Sequence, residues 1–136
     1  MKEIKTKEIQ PSIRNLLSYA TSESKIVTEY NNYLKGPNRK LFGVEQDEEY
    51  IGCIGIEIVS RRVCMINHIA VFPEQRGKRV GSEMINLLAE QFLFIIAETD
   101  KDAVDFYKKY GFTISSLGEK YPGVERFLCT YERPVS

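Results

Sequence analysis

The chain has 136 residues, in which 19 lysines and arginines balance 19 aspartates and glutamates. A chain of this length folds by default as one domain, so we expect a single domain over residues 1–136. A net charge of zero argues against a dedicated nucleic-acid-binding protein, whose affinity depends on an excess of lysine and arginine. It leaves room for a small anionic ligand that is held by a local cluster of charges.

Targeting, membrane and metal-binding segments are not apparent in the sequence. The N-terminal residues alternate charges with isolated apolar side chains, and the longest apolar stretch, at residues 92–97, is too short to cross a bilayer. Three widely spaced cysteines and a single histidine argue against a structural zinc site. The cysteines lie in apolar runs and are expected to be buried free thiols, which predicts a reducing compartment, the cytoplasm.

The first part of the chain predicts two helices and then three strands. Apolar side chains at helical spacing predict both helices within residues 11–35, and Thr21 or Ser22 is the expected cap of the second. The apolar positions are Ile13, Leu16, Leu17 and Ala20, followed by Ile26, Val27, Tyr30 and Leu34. Strands are predicted at residues 41–46, 50–60 and 63–72, and their short connections indicate antiparallel neighbours. The third of these strands is apolar on both faces, so we expect it at the centre of the sheet.

The second part alternates helices and strands. A helix that begins near residues 77–81 is followed by a buried strand at residues 92–98. Asp100 can cap a further helix over residues 100–110, and Gly111 stands where a left-handed helix terminator belongs. Strands at residues 112–118 and 124–132 follow. The predicted order, ααβββαβαββ, indicates an α+β fold of mixed layers.

Residues 69–82, IAVFPEQRGKRVGS, have the composition of an anion-binding loop. A strand ends, Pro73 breaks it, and a helix begins whose free amides and dipole favour an anion. Glycines allow phosphate oxygens to approach the backbone. Arg76, Lys78 and Arg79 add positive charge, and Ser82 adds a hydroxyl donor. Neither G-x-x-x-x-G-K-[ST] nor G-x-G-x-x-G occurs, so we predict a pyrophosphate cradle of another type, with a basic surface turn as the alternative.

Two sequence blocks resemble the GNAT superfamily of acetyl-CoA-dependent N-acetyltransferases. The family signature R/Q-x-x-G-x-G/A corresponds to RGKRVG at residues 76–81, preceded by IAV at residues 69–71 and by Pro73. Arg79 stands where the family usually has its first glycine. The second block, residues 100–112, matches N-x-x-A-x-x-F/L-Y-x-x-x-G-F, with Asp100 in place of asparagine. The two blocks occur in the family's order, with one helix and one strand between them.

The resemblance implies a central, mostly antiparallel sheet flanked by helices. In the family the fourth and fifth strands, here those predicted at residues 63–72 and 92–98, splay apart. Acetyl-CoA would be the co-substrate, with no metal, and the acetyl group would pass directly to a primary amine of a small molecule or peptide, without an acyl-enzyme. No nucleic-acid or membrane partner is expected, and a homodimer, which is common in the family, stays open. The implied cofactor-binding residues are Ile69, Ala70, Val71, Arg76, Gly77, Lys78, Arg79, Val80, Gly81, Ser82, Asp100 and Tyr107.

The catalytic assignments also depend on the resemblance. Tyr107 corresponds to the tyrosine that protonates the leaving thiolate in many relatives. The base that deprotonates the amine stays open among His68, Glu57 and Glu98, and many relatives have no single base. We hypothesise that the acidic turn at residues 47–49 attracts a cationic amine. The basic residues between Arg61 and Val80 would bind the phosphates of CoA.

Three other functions compete with acetyl transfer to an amine. The first is an enzyme that uses another acyl-CoA donor or a non-amine acceptor. The second is a CoA-binding regulatory module with little or no turnover. The third is an interaction domain that binds no CoA.

Overall fold

A computed structural model describes residues 1–134, and in that part of the chain seven strands form one sheet. The strands are β1 (Lys2–Glu3), β2 (Arg39–Gln46), β3 (Glu49–Ser60), β4 (Val63–Val71), β5 (Phe94–Asp100), β6 (Thr113–Tyr121) and β7 (Val124–Glu132). The helices are α1 (Pro11–Ser18), α2 (Ile26–Lys35), α3 (Val80–Gln91) and α4 (Val104–Tyr110), and 3-10 turns lie at Glu23–Lys25 and Pro73–Gln75. The predicted α+β fold and its order of elements are confirmed, with β1 added at the start.

The sheet order is β1-β2-β3-β4-β5-β7-β6, so β4 lies at the centre, as predicted. Its strands are antiparallel except for the pair β4 and β5. Alternate residues of a strand face opposite sides of a sheet. The neighbours Cys53 and Ile54 of β3 accordingly belong to two different cores. One core packs against α1 and α2, and the other packs against α3 and α4.

The structure corrects the predicted start and buried face of α2. Neither Thr21 nor Ser22 caps this helix, because the 3-10 turn precedes it and Lys25 holds the N-cap position. The helix begins at Ile26, and its buried face continues through Tyr30 and Tyr33 at the i+4 and i+7 positions. Val27 is 51% exposed, contrary to its predicted place in the core. Tyr33 therefore projects its ring towards the sheet.

β4 and β5 separate after only four paired residues. Their pairing runs from Val63 and Phe94 to Ile66 and Ala97. Beyond Ile66, β4 continues beside β3 while β5 continues beside β7. The predicted splay between the fourth and fifth strands is therefore confirmed.

A β-bulge in β4 lies at the point where the splay begins. Gly55 pairs with His68, and the next residue, Ile56, pairs with Ile66, which leaves Asn67 as the extra residue. An extra residue reverses the alternation of side chains. Ile66 accordingly belongs to the core under α3 and α4, whereas Ala70 belongs to the core under α1 and α2.

Candidate active site

The splay opens into a cleft of about 750 Å3. Every predicted cofactor-binding residue except Lys78 lines this cleft. Residues 69–71 of β4 form one side of the cleft. The loop after β4 and the start of α3 contribute residues 76, 77 and 79–82, and Asp100 and Tyr107 lie on the opposite side. Five further lining residues are outside the predicted set: Tyr19, Gln75, Asp102, Ala103 and Phe106.

The edge of β4 that faces the splay carries unpaired backbone groups. Phe72 donates its amide to the carbonyl of Ile51 at 3.1 Å, so the backbone groups of Phe72 point towards β3. Backbone groups alternate along a strand, so those of Val71 and Ile69 point into the splay, where β5 has diverged. The guanidinium of Arg76 confirms this direction, because its Nε donates to the carbonyl of Val71 at 3.1 Å. The edge can therefore pair with an extended ligand.

A group of free amides lies at the N-terminus of α3, in the preceding loop and in the first turn of the helix. Among the described backbone hydrogen bonds, none has an amide of residues 77–82 as its donor, and the first helical bond runs from the amide of Glu83 to the carbonyl of Arg79. Gly77 has a φ of +79°, and a Cβ added there would meet nothing within 4 Å. The backbone conformation therefore favours a glycine at this position, which faces open space. These amides and the dipole of α3 can bind an anion in the cleft.

Arg79 occupies the left-handed region, with φ +66° and ψ +16°. This is the conformation that glycine adopts without steric cost. For a residue with a Cβ, it costs roughly 1–2 kcal/mol. The departure from the family signature therefore introduces local strain.

Gly81 has a different role from Gly77. A Cβ on Gly81 would lie 3.0 Å from Cζ of Phe106 in α4. The glycine thus allows α3 and α4 to approach each other closely at the wall of the cleft. Phe106 in turn packs edge-on against Tyr107, with 5.3 Å between ring centroids.

Tyr107 is 4% exposed and lines the cleft. Its ring also packs edge-on against Phe112, at 5.1 Å between centroids. Burial raises the pKa of the Tyr107 hydroxyl, so the group keeps its proton at neutral pH and can act as a donor. Asp100 fixes the approach to α4, because its Oδ1 accepts the amides of Asp102 at 3.0 Å and Ala103 at 3.1 Å. The structure corrects the predicted cap: α4 begins at Val104 rather than at residue 100, and Ala103 holds its N-cap position, so Asp100 binds the turn that precedes the helix.

The three candidate bases lie outside the lining of the cleft. Nδ1 of His68 lies 2.5 Å from the hydroxyl of Tyr33, and burial lowers the pKa of the imidazole. Glu57 pairs with Arg39 at 3.3 Å. Glu98 accepts a hydrogen bond from Lys120 at 2.8 Å, which lowers the pKa of this carboxyl. Of the three, only His68 lies on β4 beside the residues that line the cleft.

The predicted basic and acidic patches are less continuous than the sequence indicated. Arg61 and Arg62 lie in the turn before β4, at the opposite end of the strand from Arg76. Nine residues of strand span about 30 Å, so these two arginines lie far from the free amides. In the acidic set, Glu45 pairs with Lys2 at 2.6 Å, and Glu57 pairs with Arg39.

Sequence comparison identifies the family. The family model described as "Acetyltransferase (GNAT) family" matches residues 9–112, which is more than half of the chain. The chain belongs to the GNAT acetyltransferase family.

Known proteins are similar to this GNAT chain in sequence or in fold. An uncharacterized N-acetyltransferase of Bacillus methanolicus is 31% identical over 78 residues, and the match covers 55% of the chain and 65% of that relative's length, slightly less than two thirds. An aminoglycoside 6'-N-acetyltransferase solved with coenzyme A has a TM-score of 0.79 at 15% identity, over 100% of this chain and 99% of that one. An Elizabethkingia anophelis GNAT acetyltransferase with acetyl-CoA bound has a TM-score of 0.73 at 18% identity, over 96% of this chain and 95% of that one.

These comparisons confirm the family that the sequence resembles, and the two solved structures confirm the GNAT fold. All three cysteines of this GNAT chain are buried free thiols. Within residues 1–134, no group of three or more histidine, cysteine, aspartate or glutamate side chains is arranged to hold a metal ion. In the same part of the chain, the helices are too short or too polar to cross a membrane.

Proposed function

We propose that this GNAT chain transfers the acetyl group of acetyl-CoA directly to the primary amine of a small molecule or peptide, without an acyl-enzyme. The observation that carries the proposal is the cleft at the splay. It combines an unpaired strand edge, a set of free amides at a helix N-terminus and a protonated tyrosine. These three groups suit a pantetheine arm, a pyrophosphate and a leaving thiol, respectively.

The residues present fit acetyl-CoA as a co-substrate. The backbone groups of Ile69 and Val71 would pair with the amide groups of the pantetheine arm. The amides of residues 77–82 would hold the pyrophosphate, and the open space at Gly77 leaves room for phosphate oxygens beside the backbone. Bound acetyl-CoA supplies the thioester.

The transfer requires one new bond, one broken bond and two proton movements. The amine nitrogen, in its neutral form, forms a bond to the thioester carbon, and the bond from that carbon to sulfur breaks. Backbone amides near Val71 stabilise the charge that develops on the carbonyl oxygen. Tyr107 donates its proton to the leaving sulfur, and a base takes one proton from the amine.

Two glycines provide a matched test of the pyrophosphate cradle. Gly77 and Gly118 have φ of +79° and +75°, and a Cβ on either would meet nothing within 4 Å. Gly77→Ala and Gly118→Ala therefore introduce the same backbone strain, but only Gly77 lies in the cleft. We expect Gly77→Ala alone to weaken CoA binding in a calorimetric titration. Equal CoA affinities for the two variants would contradict the placement of the pyrophosphate.

Tyr107→Phe tests the proton donor. The variant keeps the ring that packs against Phe106 and Phe112 and removes only the hydroxyl. In an assay of thiol release with a panel of primary amines, we expect kcat to fall by roughly 100-fold or more. A variant as fast as the wild type would show that Tyr107 is not the donor.

A CoA-binding regulatory module is the second candidate. It is favoured by the positions of His68, Glu57 and Glu98, because none of these three candidate bases lines the cleft. Saturable CoA binding without thiol release for any amine, other acceptor or acyl donor would favour the module over the enzyme.

A further inference from the structure

A tyrosine and the chain's one histidine form a polar pair on the side of the sheet that α1 and α2 cover. Tyr33 of α2 is 4% exposed, and its hydroxyl lies 2.5 Å from Nδ1 of His68 in β4. The two rings meet nearly edge to face, with centroids 5.7 Å apart. The described hydrogen bonds of residues 1–134 include none to Nε2 of His68.

The backbone is shaped to admit this pair. A Cβ on Gly55 would lie 2.1 Å from the hydroxyl oxygen of Tyr33, so a glycine is required where the tyrosine crosses β3. Gly55 is also the residue that pairs with His68. The bulge at Asn67 reverses the alternation of β4, which places His68 on the side of α2 rather than α3. Without the bulge, His68 would share the face of Ile66.

The position of the pair connects it with the splay. His68 follows Ile66, the last residue of β4 that pairs with β5, and precedes Ile69, the first residue of the cleft. Asn67 lies between Ile66 and His68, and its buried Nδ2 has no hydrogen-bond partner among the described residues. Buried polar groups cost free energy unless they are well paired, so stability alone does not account for a polar cluster here.

We propose that Tyr33 is a positioning residue for His68: the tyrosine oxygen accepts the Nδ1 proton, and Nε2 is left as the proton acceptor for the amine. This inference rests on the proposed function. When the C–N bond forms, the proton of the amine nitrogen passes to Nε2, and the resulting imidazolium stays bonded to Tyr33 through Nδ1. Release of the Nε2 proton to solvent restores the neutral ring.

The ionisation states of both groups suit these roles. Burial is the main influence on each: it lowers the pKa of His68, so the ring is neutral at pH 7, and raises the pKa of the Tyr33 hydroxyl, which stays protonated. The charges that act on the pair come from α2 and β2. Glu29 raises and Arg39 lowers the pKa of the imidazole, so their effects oppose each other. Cys53 of β3 also faces Tyr33 and is a neutral thiol, because burial raises its pKa to about 12.

The tautomer can be measured without turnover. His68 is the only histidine of the chain, so a long-range proton–nitrogen NMR spectrum of 15N-histidine-labelled protein contains one imidazole. We expect an Nδ1–H tautomer in the wild type and its loss in Tyr33→Phe. Tyr30→Phe is the matched control, because Tyr30 is buried on the same helix but donates its hydroxyl to the carbonyl of Thr6 at 2.7 Å. An Nε2–H tautomer in the wild type would overturn the positioning role.

Kinetics test whether the pair acts in catalysis. We expect Tyr33→Phe to lower kcat by roughly tenfold or more and to move the acidic limb of the pH profile to lower pH, because the imidazolium loses its acceptor. In a His68→Gln background, Tyr33→Phe should have no further effect on kcat. Loss of kcat by the same factor in both backgrounds would indicate a merely structural tyrosine and would overturn the proposal. A wild type that releases no thiol with any amine would instead overturn the proposed function, and with it the catalytic role of His68, while the NMR result would still stand.

Discussion

The left-handed conformation of Arg79 yields a prediction whose magnitude follows from the backbone. At φ +66°, a residue with a Cβ is strained by roughly 1–2 kcal/mol, which glycine avoids. Glycine also gains about 0.4–1 kcal/mol of conformational freedom in the unfolded chain, which offsets part of this. Arg79→Gly should therefore be more stable than Arg79→Ala by about 1 kcal/mol. For a chain of this size, that difference raises Tm by roughly 3–5 °C.

The two variants lose the same charge, so their comparison removes the effect of charge and leaves the strain and the unfolded-chain freedom of glycine. Thermal and urea unfolding, followed by circular dichroism, measure the stability difference. Calorimetric titration should show that CoA affinity falls alike in both, by less than about tenfold for one exposed charge. An alanine variant that is as stable as the glycine variant would refute the left-handed conformation at residue 79.

Changes at three further positions test the structure around the site. Gly55→Ala would place a Cβ 2.1 Å from the oxygen of Tyr33, so we expect a loss of roughly 1–3 kcal/mol in urea unfolding, together with the altered His68 tautomer. Asp100→Ala removes the acceptor of two amides before α4 and should cost about 1 kcal/mol, whereas Asp100→Asn keeps an oxygen acceptor and should retain most of the stability. Partial burial lowers the pKa of His68 in the folded chain, so the unfolded chain binds a proton more readily below about pH 6.5. The free energy of unfolding should therefore fall as pH drops from 7.5 to 5.5, and His68→Gln should reduce this slope. A slope unchanged in that variant would show that other groups set the pH dependence.

The elements and the cradle could be predicted because their signals are local. Gly111, predicted as a left-handed terminator, ends α4 with a φ of +122° and a ψ of +12°, a positive φ that favours glycine but lies outside the αL region. The loop before α3 and the first turn of that helix carry their glycines and basic residues within residues 76–81, and all of these except Lys78 line the cleft. The splay could be predicted only through the resemblance, because β4 and β5 are far apart in the sequence.

The features that could not be predicted depend on contacts between distant segments. The bulge at Asn67 leaves no trace in a strand that is apolar on both faces, because an extra residue does not disturb its pattern. Tyr33 and His68 are 35 residues apart, and only Gly55 hints that a side chain must cross β3. The contact between Phe106 and Gly81 at the wall of the cleft joins two helices that are distant in the sequence, so it requires the tertiary structure.

Calorimetric titration of the wild type with CoA tests the central claim most directly, since the proposed function depends on a CoA-binding cleft at the splay. It should be carried out at two temperatures, because burial of apolar surface changes the heat capacity and the heat of binding cannot vanish at both. We predict saturable binding to one site that weakens as salt is added, as expected for phosphates held in part by charge. The absence of saturable heat at both temperatures, up to millimolar CoA, would contradict the account.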